Sequence, residues 1–176
     1  MKLYVVRHGR TEYNEKRIFC GRTDIPLCDK GREQLGKLAE DSLTYGLDLI
    51  IASPLIRAVE TAEAAGAACG LSVITDERLV ERAFGDFEAT TVETDADHEC
   101  RYNFACKYPN GESYLQVAAR VYNFLDEIKE KYPDKHIMVV AHGGVCRMIR
   151  TYFCNMTDDE FYTFSHPNCS VIEYEM

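Results

Sequence analysis

The chain has 176 residues, of which 46% are hydrophobic and 28% are charged, which is typical of a globular protein with one core. Its formal net charge of −9 argues against nucleic acid or an anionic membrane surface as the main partner, because both require a basic footprint. A small anionic ligand stays possible if a local cluster of basic residues overrides the global sign.

Apolar runs alternate with amphipathic helical patterns along the chain, which predicts an α/β fold with a mostly parallel central sheet in a three-layer α/β/α sandwich. We expect one domain over 1–176. Ser53 and Pro54 are expected to open the second helix as its cap and first residue. In chain order, the predicted elements are a strand at 2–6, a helix at 29–43, a strand at 47–53, a helix at 53–69, a strand at 71–75, a helix at 113–132, a strand at 136–141, a helix at 143–153 and a strand at 169–175.

The segment 84–111 has neither the helical nor the strand period, and an unpatterned stretch of that length predicts a lid-like insertion. Its aromatic residues Tyr102, Phe104 and Tyr108 either cover a substrate or seal the edge of the domain. The acidic run from Asp95 to Glu99 could be read as a metal cluster. Such spacing in an unpatterned segment is more typical of a solvated loop, so we expect no metal.

The apolar run after Lys2 ends at Val6, which is too short for a signal peptide or a membrane span. We therefore expect a cytoplasmic protein. Its eight cysteines form no C-x-x-C pair, and without a secretory signal we expect reduced thiols that act as small buried apolar residues.

Two histidines follow buried strands at the point where each strand ends. His8 stands between Arg7 and Gly9 after the first strand, and His142 precedes Gly143 after the strand at 136–141. Ligands of open α/β sheets bind outside the carboxyl ends of the strands. Both imidazoles should therefore lie on the ligand side of the sheet, and they can meet if the two strands are neighbours.

Arginines and carboxylates complete a set of groups suited to phosphoryl transfer. Arg57, in the first turns of the helix after the second strand, should reach the same edge of the sheet, although it could instead pair with Glu60 or Glu63 on its own helix. Guanidinium groups match phosphate oxygens two at a time. Glu81 and Glu88 follow the third strand, and a carboxyl group can protonate a leaving oxygen.

These motifs resemble the histidine phosphatase superfamily over most of the chain, from Leu3 to about Ile149. "RHGRTEYNEKR" is similar to R-H-G-x-T-x-x-N, "DIPLCDKGREQ" to D-x-P-L-x-x-x-G-x-x-Q, and "SPLIRAVETA" to S-x-L-x-R-A-x-E-T-A. "LVERAFGDFE" resembles the acid-bearing segment, "PNGES" the P-x-G-E-S element and "VVAHGGV" the second histidine motif. The six motifs occur in the order and context that the family requires.

The resemblance implies that His8 is the nucleophile and forms a phosphohistidine, while Arg7, Arg57 and His142 hold the phosphoryl oxygens. Glu81 would protonate the leaving group and then activate water. Nearby cations should keep His8 neutral and nucleophilic. The substrate-facing positions that the resemblance implies are Thr11, Asn14, Cys20, Gly21, Arg82 and Gly143; it implies no cofactor.

Three positions depart from the family pattern. Ala89 replaces the glycine that often follows the second glutamate, which makes Glu88 a weaker functional candidate than Glu81. Cys20 stands where Gln or Thr is usual and could expose the pocket to oxidation. Cys28 replaces a capping Thr or Ser, and Asp29 could cap the helix instead.

The sequence predicts a metal-independent phosphomonoesterase that acts on a small phosphorylated metabolite. A phosphoglycerate mutase-type isomerase is the second reading, since "ERAFG" resembles the E-R-x-x-G of mutases. A non-catalytic module that binds phosphoproteins is the third, although a binder has no need for the acid. The partner expected is a small phosphate ester; the substrate itself and the oligomeric state stay open.

Overall fold

The computed structural model describes residues 1–92 and 99–176, and its helices and strands alternate as the sequence predicts. Two 3-10 turns lie at Glu77–Leu79 and Gly85–Phe87. In chain order, the elements are β1 (Lys2–Arg7), α1 (Glu12–Lys16), α2 (Asp29–Ser42), β2 (Leu49–Ala52), α3 (Ile56–Cys69), β3 (Val73–Thr75), α4 (Tyr114–Lys131), β4 (His136–Ala141), α5 (Gly143–Phe153), α6 (Asp158–Thr163) and β5 (Val171–Glu175).

The five strands form one sheet in the order β3-β2-β4-β1-β5. All neighbouring strands are parallel except β5, which runs antiparallel to β1 at one edge. The predicted α/β fold with a mostly parallel sheet is confirmed. Since β1 and β4 are neighbours in register, with Arg7 opposite Ala141, the residues that follow these strands emerge side by side.

Helices cover both faces of the sheet, and alternate residues of each strand serve the two cores. Leu3 and Val5 of β1 belong to the core formed with α4 and α5, whereas Tyr4 and Val6 belong to the core formed with α2 and α3. The strands are therefore apolar on both faces, which explains why they appear in the sequence as unbroken apolar runs.

The start of α3 differs from the prediction. Helix α3 begins at Ile56, its N-cap is Leu55, and Ser53 does not cap it. The Ile56 N–H donates instead to Asp24 Oδ1 at 2.8 Å, so the capping side chain comes from a distant loop. The side chain of Ser53 is thereby left available to the candidate site described below.

One other local prediction is wrong, and two short helices lie outside the predicted elements. Cys28 is the N-cap of α2 without a side-chain hydrogen bond, and Asp29 is the first helical residue, so the prediction that Asp29 caps this helix is wrong. The short helices α1 and α6 were not predicted. Each begins with a reciprocal capping box, which pairs Thr11 with Asn14 and Thr157 with Glu160.

Cys100 and Cys106 form a disulfide, so the expectation of reduced thiols is wrong for this pair. The intervening turn brings their Cα atoms to 4.7 Å, within the range of a disulfide. Of the six free cysteines only Cys146 is buried. Within 84–92 and 99–111 the longest regular element is one turn of helix. The acidic run considered as a metal cluster lies, apart from Glu99, outside the described residues.

Among the helices of the described residues, none has the length and apolar character needed to cross a bilayer.

Candidate active site

The two histidines that follow β1 and β4 lie together at the carboxyl edge of the sheet. The ring centroids of His8 and His142 are 5.0 Å apart, and the two residues are 4% and 0% exposed. Strand pairing fixes this proximity, because the His8 N–H continues the ladder by donating to Ala141 O at 2.9 Å.

The contacts of His8 leave its Nε2 available as a nucleophile. The Nδ1 atom lies 2.7 Å from Gly9 O, and since a carbonyl oxygen can only accept, Nδ1 carries the proton and Nε2 the lone pair. Burial, and then the charges of Arg57 and Arg7, hold the pKa of His8 well below its ordinary value. The imidazole is therefore neutral, as the sequence predicts, although burial contributes more than the cations do.

His142 is also buried and neutral, and one of its nitrogens has no partner. Its Nε2 lies 2.7 Å from Ser53 Oγ, which accepts a long hydrogen bond of 3.4 Å from Leu55 N and so has its own proton to donate. Its buried Nδ1 has no hydrogen-bond partner in the described part of the chain. Burial, followed by Arg57 and His8, keeps the pKa of His142 well below its usual range.

Arg7 and Arg57 each present a buried Nε that has no partner among residues 1–92 and 99–176. Arg7 is fixed by its Nη1, which donates to His166 O at 2.8 Å. Arg57 is completely buried and does not pair with Glu60, which contacts Arg32 instead. Buried N–H groups are costly to leave unpaired, so these donors favour an anionic ligand at this place.

Glu81 is held at the same edge by two backbone N–H groups. Its Oε1 accepts from Arg82 N at 2.8 Å and its Oε2 accepts from Gly144 N at 2.9 Å, at the start of α5. A Cβ on Gly144 would lie 2.5 Å from Glu81 Oε1, so only glycine leaves room for the carboxylate. Glu81 is 7% exposed.

A cavity of about 520 Å³ opens over these groups. It is the size of an ordinary small-molecule site. Of the residues predicted from the sequence, those that line it are Arg7, His8, Asn14, Cys20, Glu81, Arg82 and Gly143. Four other predicted residues, Thr11, Gly21, Arg57 and His142, are buried and do not line it.

Comparison with known proteins shows the family to which the chain belongs. Residues 3–176 match the histidine phosphatase superfamily (branch 1). The chain belongs to this superfamily. It is 31% identical over 182 residues to "Putative phosphoserine phosphatase 2" of Hydrogenobacter thermophilus, covering 99% of this chain and 89% of that protein. It is 33% identical over 150 residues to "Probable phosphoglycerate mutase GpmB" of an Enterobacter species, covering 81% and 70%.

A solved structure of a mycobacterial glucosyl-3-phosphoglycerate phosphatase is also similar, with a TM-score of 0.87 and 28% identity, covering 98% of this chain and 88% of that one. The protein described here is accordingly an enzyme of the phosphatase type within the histidine phosphatase superfamily.

Several residues that the histidine phosphatase motifs suggest as substrate contacts make scaffold contacts in this structure. Thr11 caps α1 and is completely buried. Arg82 lines the cavity, but its guanidinium donates to the carbonyl oxygens of Glu112, Cys100 and Cys106. For Gly21, an added Cβ would lie 2.3 Å from Arg82 O and from Glu88 Oε1.

Cys20 keeps its thiol protonated in this environment. Its Sγ donates to Thr23 O at 3.6 Å, and burial raises the pKa of the thiol to about 11. Since the thiolate is the form that reacts, this cysteine is protected against oxidation at neutral pH. The oxidation sensitivity considered from the sequence therefore has no support in its surroundings.

The segment before β5 contributes contacts that sequence reasoning missed. Asn168 Nδ2 donates to His8 O at 2.8 Å and to Asn14 Oδ1 at 3.3 Å, and the carbonyl of His166 fixes Arg7. Arg10 and Arg147 also line the cavity. The polar cluster "SHPNCS" directly before the last strand is the available signal, but it lies beyond the family motifs, which end at about Ile149.

Proposed function

We propose that the protein hydrolyses phosphate monoesters of small metabolites through a phosphohistidine on His8, without help from a metal ion. The observation that carries the proposal is a buried, neutral His8 with its Nε2 free, in one cavity with Glu81 and beside unpartnered Nε–H groups on Arg7 and Arg57. A nucleophile, donors for the phosphoryl oxygens and an acid are the three parts that this reaction needs.

In the first step, His8 Nε2 attacks phosphorus, and the bond between phosphorus and the ester oxygen breaks. Glu81, protonated at this stage, gives its proton to the departing alkoxide, so that an alcohol leaves. The Nε–H groups of Arg7 and Arg57, together with His142 Nδ1–H, donate to the phosphoryl oxygens as negative charge spreads over them. Ser53 holds the tautomer of His142 by donating to its Nε2.

In the second step, water attacks the phosphorus of the phosphohistidine while the carboxylate of Glu81 removes one of its protons. The nitrogen–phosphorus bond breaks, and its electron pair returns to His8 Nε2. Inorganic phosphate leaves, and Glu81 is protonated again for the next cycle. The same carboxyl group thus acts as acid and then as base, and the backbone N–H groups of Arg82 and Gly144 keep it in place.

Two properties support a small phosphate ester as the ligand. The net charge of −9 is unsuited to nucleic acid, whereas the cavity itself is lined by arginines. The proposal treats 1–176 as one domain in which the segment 84–111 serves as a lid. Its support is that Phe84, Arg101, Tyr102 and Tyr108 line the same cavity as His8.

The first experiment is a screen for phosphate release over a panel of phosphomonoesters in excess EDTA, with wild type beside His8→Ala. We expect EDTA-resistant release and acid-labile phosphoenzyme in the wild type, and neither in His8→Ala. The matched control is His136→Ala at the opposite end of β4, where Nδ1 contacts Tyr45 O; it should keep both signals. Phosphoenzyme labelling that survives in His8→Ala would contradict the assignment of the nucleophile.

A mutase is the second candidate, because a relative with 33% identity is named a probable phosphoglycerate mutase. A mutase shares the first step but returns the phosphoryl group to a second hydroxyl instead of to water. Product identity separates the two functions. Isomerised 3-phosphoglycerate without free phosphate would replace the phosphatase proposal, whereas release of free phosphate supports it.

A further inference from the structure

Glu88, which does not line the cavity, is the centre of a hydrogen-bond cluster on the loop 20–23. Its Oε1 accepts from Arg22 N at 2.8 Å and from Phe84 N at 3.2 Å. Its Oε2 accepts from Gly21 N at 3.1 Å and from the Thr23 hydroxyl at 2.8 Å. An ionised carboxylate is the one side chain that can accept from all of these donors at once.

The carbonyl groups of the same loop hold Arg57. Its Nη1 donates to Thr23 O at 2.8 Å, and its Nη2 donates to Gly21 O at 2.8 Å and to Cys20 O at 3.4 Å. The N–H groups of the loop therefore donate to Glu88 on one side, and its carbonyl oxygens accept from the Arg57 guanidinium on the other. With both ends of the guanidinium occupied in this way, the unpartnered Nε of Arg57 has a fixed place.

The backbone around Glu88 is itself tightly specified. The next residue, Ala89, has a φ of 62°, in the left-handed region that favours glycine. Its N–H donates to Phe19 O at 3.0 Å, which fixes this turn against the chain leading into the loop. Gly21 packs against Glu88 without room for a Cβ. These contacts hold the backbone of Glu88 in one place against the loop 20–23.

We propose that Glu88 is a positioning residue for the phosphoryl-transfer reaction, and that it acts through the loop 20–23 on Arg57. The inference rests on the proposed function, since it assigns Arg57 to the phosphoryl oxygens. Glu88 touches no reacting atom. Its negative charge orders the loop N–H groups, the loop carbonyls then orient the guanidinium, and Arg57 reaches the phosphoryl group in the geometry that the transition state requires.

The variant that tests the proposal is Glu88→Gln, which keeps the size of the side chain but turns one acceptor oxygen into a donor against the loop N–H groups. We expect kcat on p-nitrophenyl phosphate to fall roughly 10- to 100-fold, the loss expected when the Arg57 guanidinium is misplaced by about 1 Å. KM should change little, because the charge that Arg57 stabilises grows in the transition state. Inhibition by vanadate, a mimic of the transition state, should weaken in parallel with kcat.

A double-mutant cycle with Arg57→Ala separates positioning from general damage. If Glu88 acts through Arg57, the Glu88→Gln substitution costs little more once Arg57 has been removed, so the two effects are strongly non-additive. A structural defect unrelated to Arg57 would lower kcat by the same factor in both backgrounds. That additive result would overturn the proposal, as would a Glu88→Gln enzyme with wild-type kcat.

Two further variants guard against misfolding and nonspecific effects. Thr23→Val removes one donor to Glu88 and leaves the carbonyl that holds Arg57 intact; it should lower kcat in the same direction but less. Glu63→Gln on the exposed side of α3 is the charge-matched control and should leave kcat unchanged. If Glu88→Gln fails to fold, the double-mutant cycle between Thr23→Val and Arg57→Ala replaces it: non-additive effects on kcat support the proposal, and additive effects contradict it.

The failure of this proposal is distinguishable from failure of the proposed function. A wild-type enzyme that neither releases phosphate nor forms phosphoenzyme contradicts the function itself. A wild type that does both, is much slower in Arg57→Ala and keeps its full rate in Glu88→Gln contradicts only the positioning role.

Discussion

The uncharged state of the buried histidines links the proposed catalysis to stability at the scale of single residues. His8 and His142 have pKa values held well below the ordinary value, mainly by burial. Between the ordinary pKa near 6.5 and the depressed native one, the unfolded chain binds protons that the folded protein does not. The free energy of unfolding therefore falls as the pH drops through this window, and activity should persist below pH 6.5 as far as His8 determines it.

The corresponding prediction uses His8→Asn, whose amide can still donate to Gly9 O. Between pH 7.5 and 5.5, wild type should lose up to about 1.4 kcal/mol more of its free energy of unfolding than His8→Asn does, because the variant lacks one group that must stay neutral. Urea denaturation of both proteins at the two pH values measures the difference. Equal losses in the two proteins would show that His8 is not held neutral by the fold.

Candidate site residues were predictable where their place in the sequence fixes their place in the fold. His8 and His142 directly follow strands of a parallel sheet, so the rule for ligand sites at strand ends sufficed. Ser53, Asn168 and the scaffold role of Arg82 were not predictable in this way. Their contacts join positions that are 89, 160 and up to 30 residues apart, and no local pattern encodes such pairings.

At the scale of elements, the start of α5 determines where the proposed acid stands. The N–H of Gly144 holds Glu81, and the missing Cβ provides the space that its carboxylate occupies. The sequence pattern identified the helix and its glycines, since apolar periodicity and strand ends are local signals. The sequence alone does not show why glycine is required at 144, because the reason is the carboxylate of Glu81, which comes from a different part of the chain.

We predict that Gly144→Ala displaces Glu81 and lowers kcat on alkyl phosphates about 10- to 100-fold. The loss should be smaller on p-nitrophenyl phosphate, because its phenolate leaves with little need for a proton. Gly36→Ala is the control, since a Cβ at Gly36 in α2 would meet no described atom within 4 Å apart from the backbone of its own helix. Equal losses on both substrates in Gly144→Ala would show that the substitution damages something other than acid catalysis.

The short helices show the limits of pattern reading at this scale. Helices α1 and α6 have 5 and 6 residues, which is too few to display a helical period, and their capping boxes were the only local signs of them. The start of α3 was placed too early because Ser53 and Pro54 form a strong local signal for a helix start. The side chain of Asp24 supplies the cap from 32 residues away, and this tertiary contact overrides the local preference.

For the whole molecule, the net charge of the chain does not predict the sign of the electrostatic field inside the cavity. The chain carries a net charge of −9, yet six arginines line the cavity, and Glu81 is the one acid that lines it within the described residues. The wall is formed partly by the segment 99–111. Arg82 connects that segment to the body of the protein, with its guanidinium 4.5 Å from the centre of the Tyr108 ring and 4.0 Å from that of Tyr114.

The disulfide between Cys100 and Cys106 closes the turn that carries two residues of this wall. The carbonyl groups of Cys100 and Cys106 both accept from Arg82, and Arg101 and Tyr102, which stand between the two cysteines, line the cavity. A dithiol reductant converts the disulfide to two thiols and is itself oxidised to its cyclic disulfide. The turn then loses its covalent closure, while His8 and Glu81 keep their own contacts.

We therefore predict that reduction raises KM for phosphate esters with large leaving groups several-fold and leaves kcat nearly unchanged, because only uniform binding is lost. The double variant Cys100→Ser with Cys106→Ser should show the raised KM with and without dithiol, whereas Cys69→Ser, outside the cavity, should respond to the reductant as wild type does. A thiol titration that gives two additional free thiols after reduction confirms that the disulfide was present. If those thiols appear without a change in KM, the turn does not contribute to substrate binding, and recognition of the leaving group must come from the residues nearer to β5.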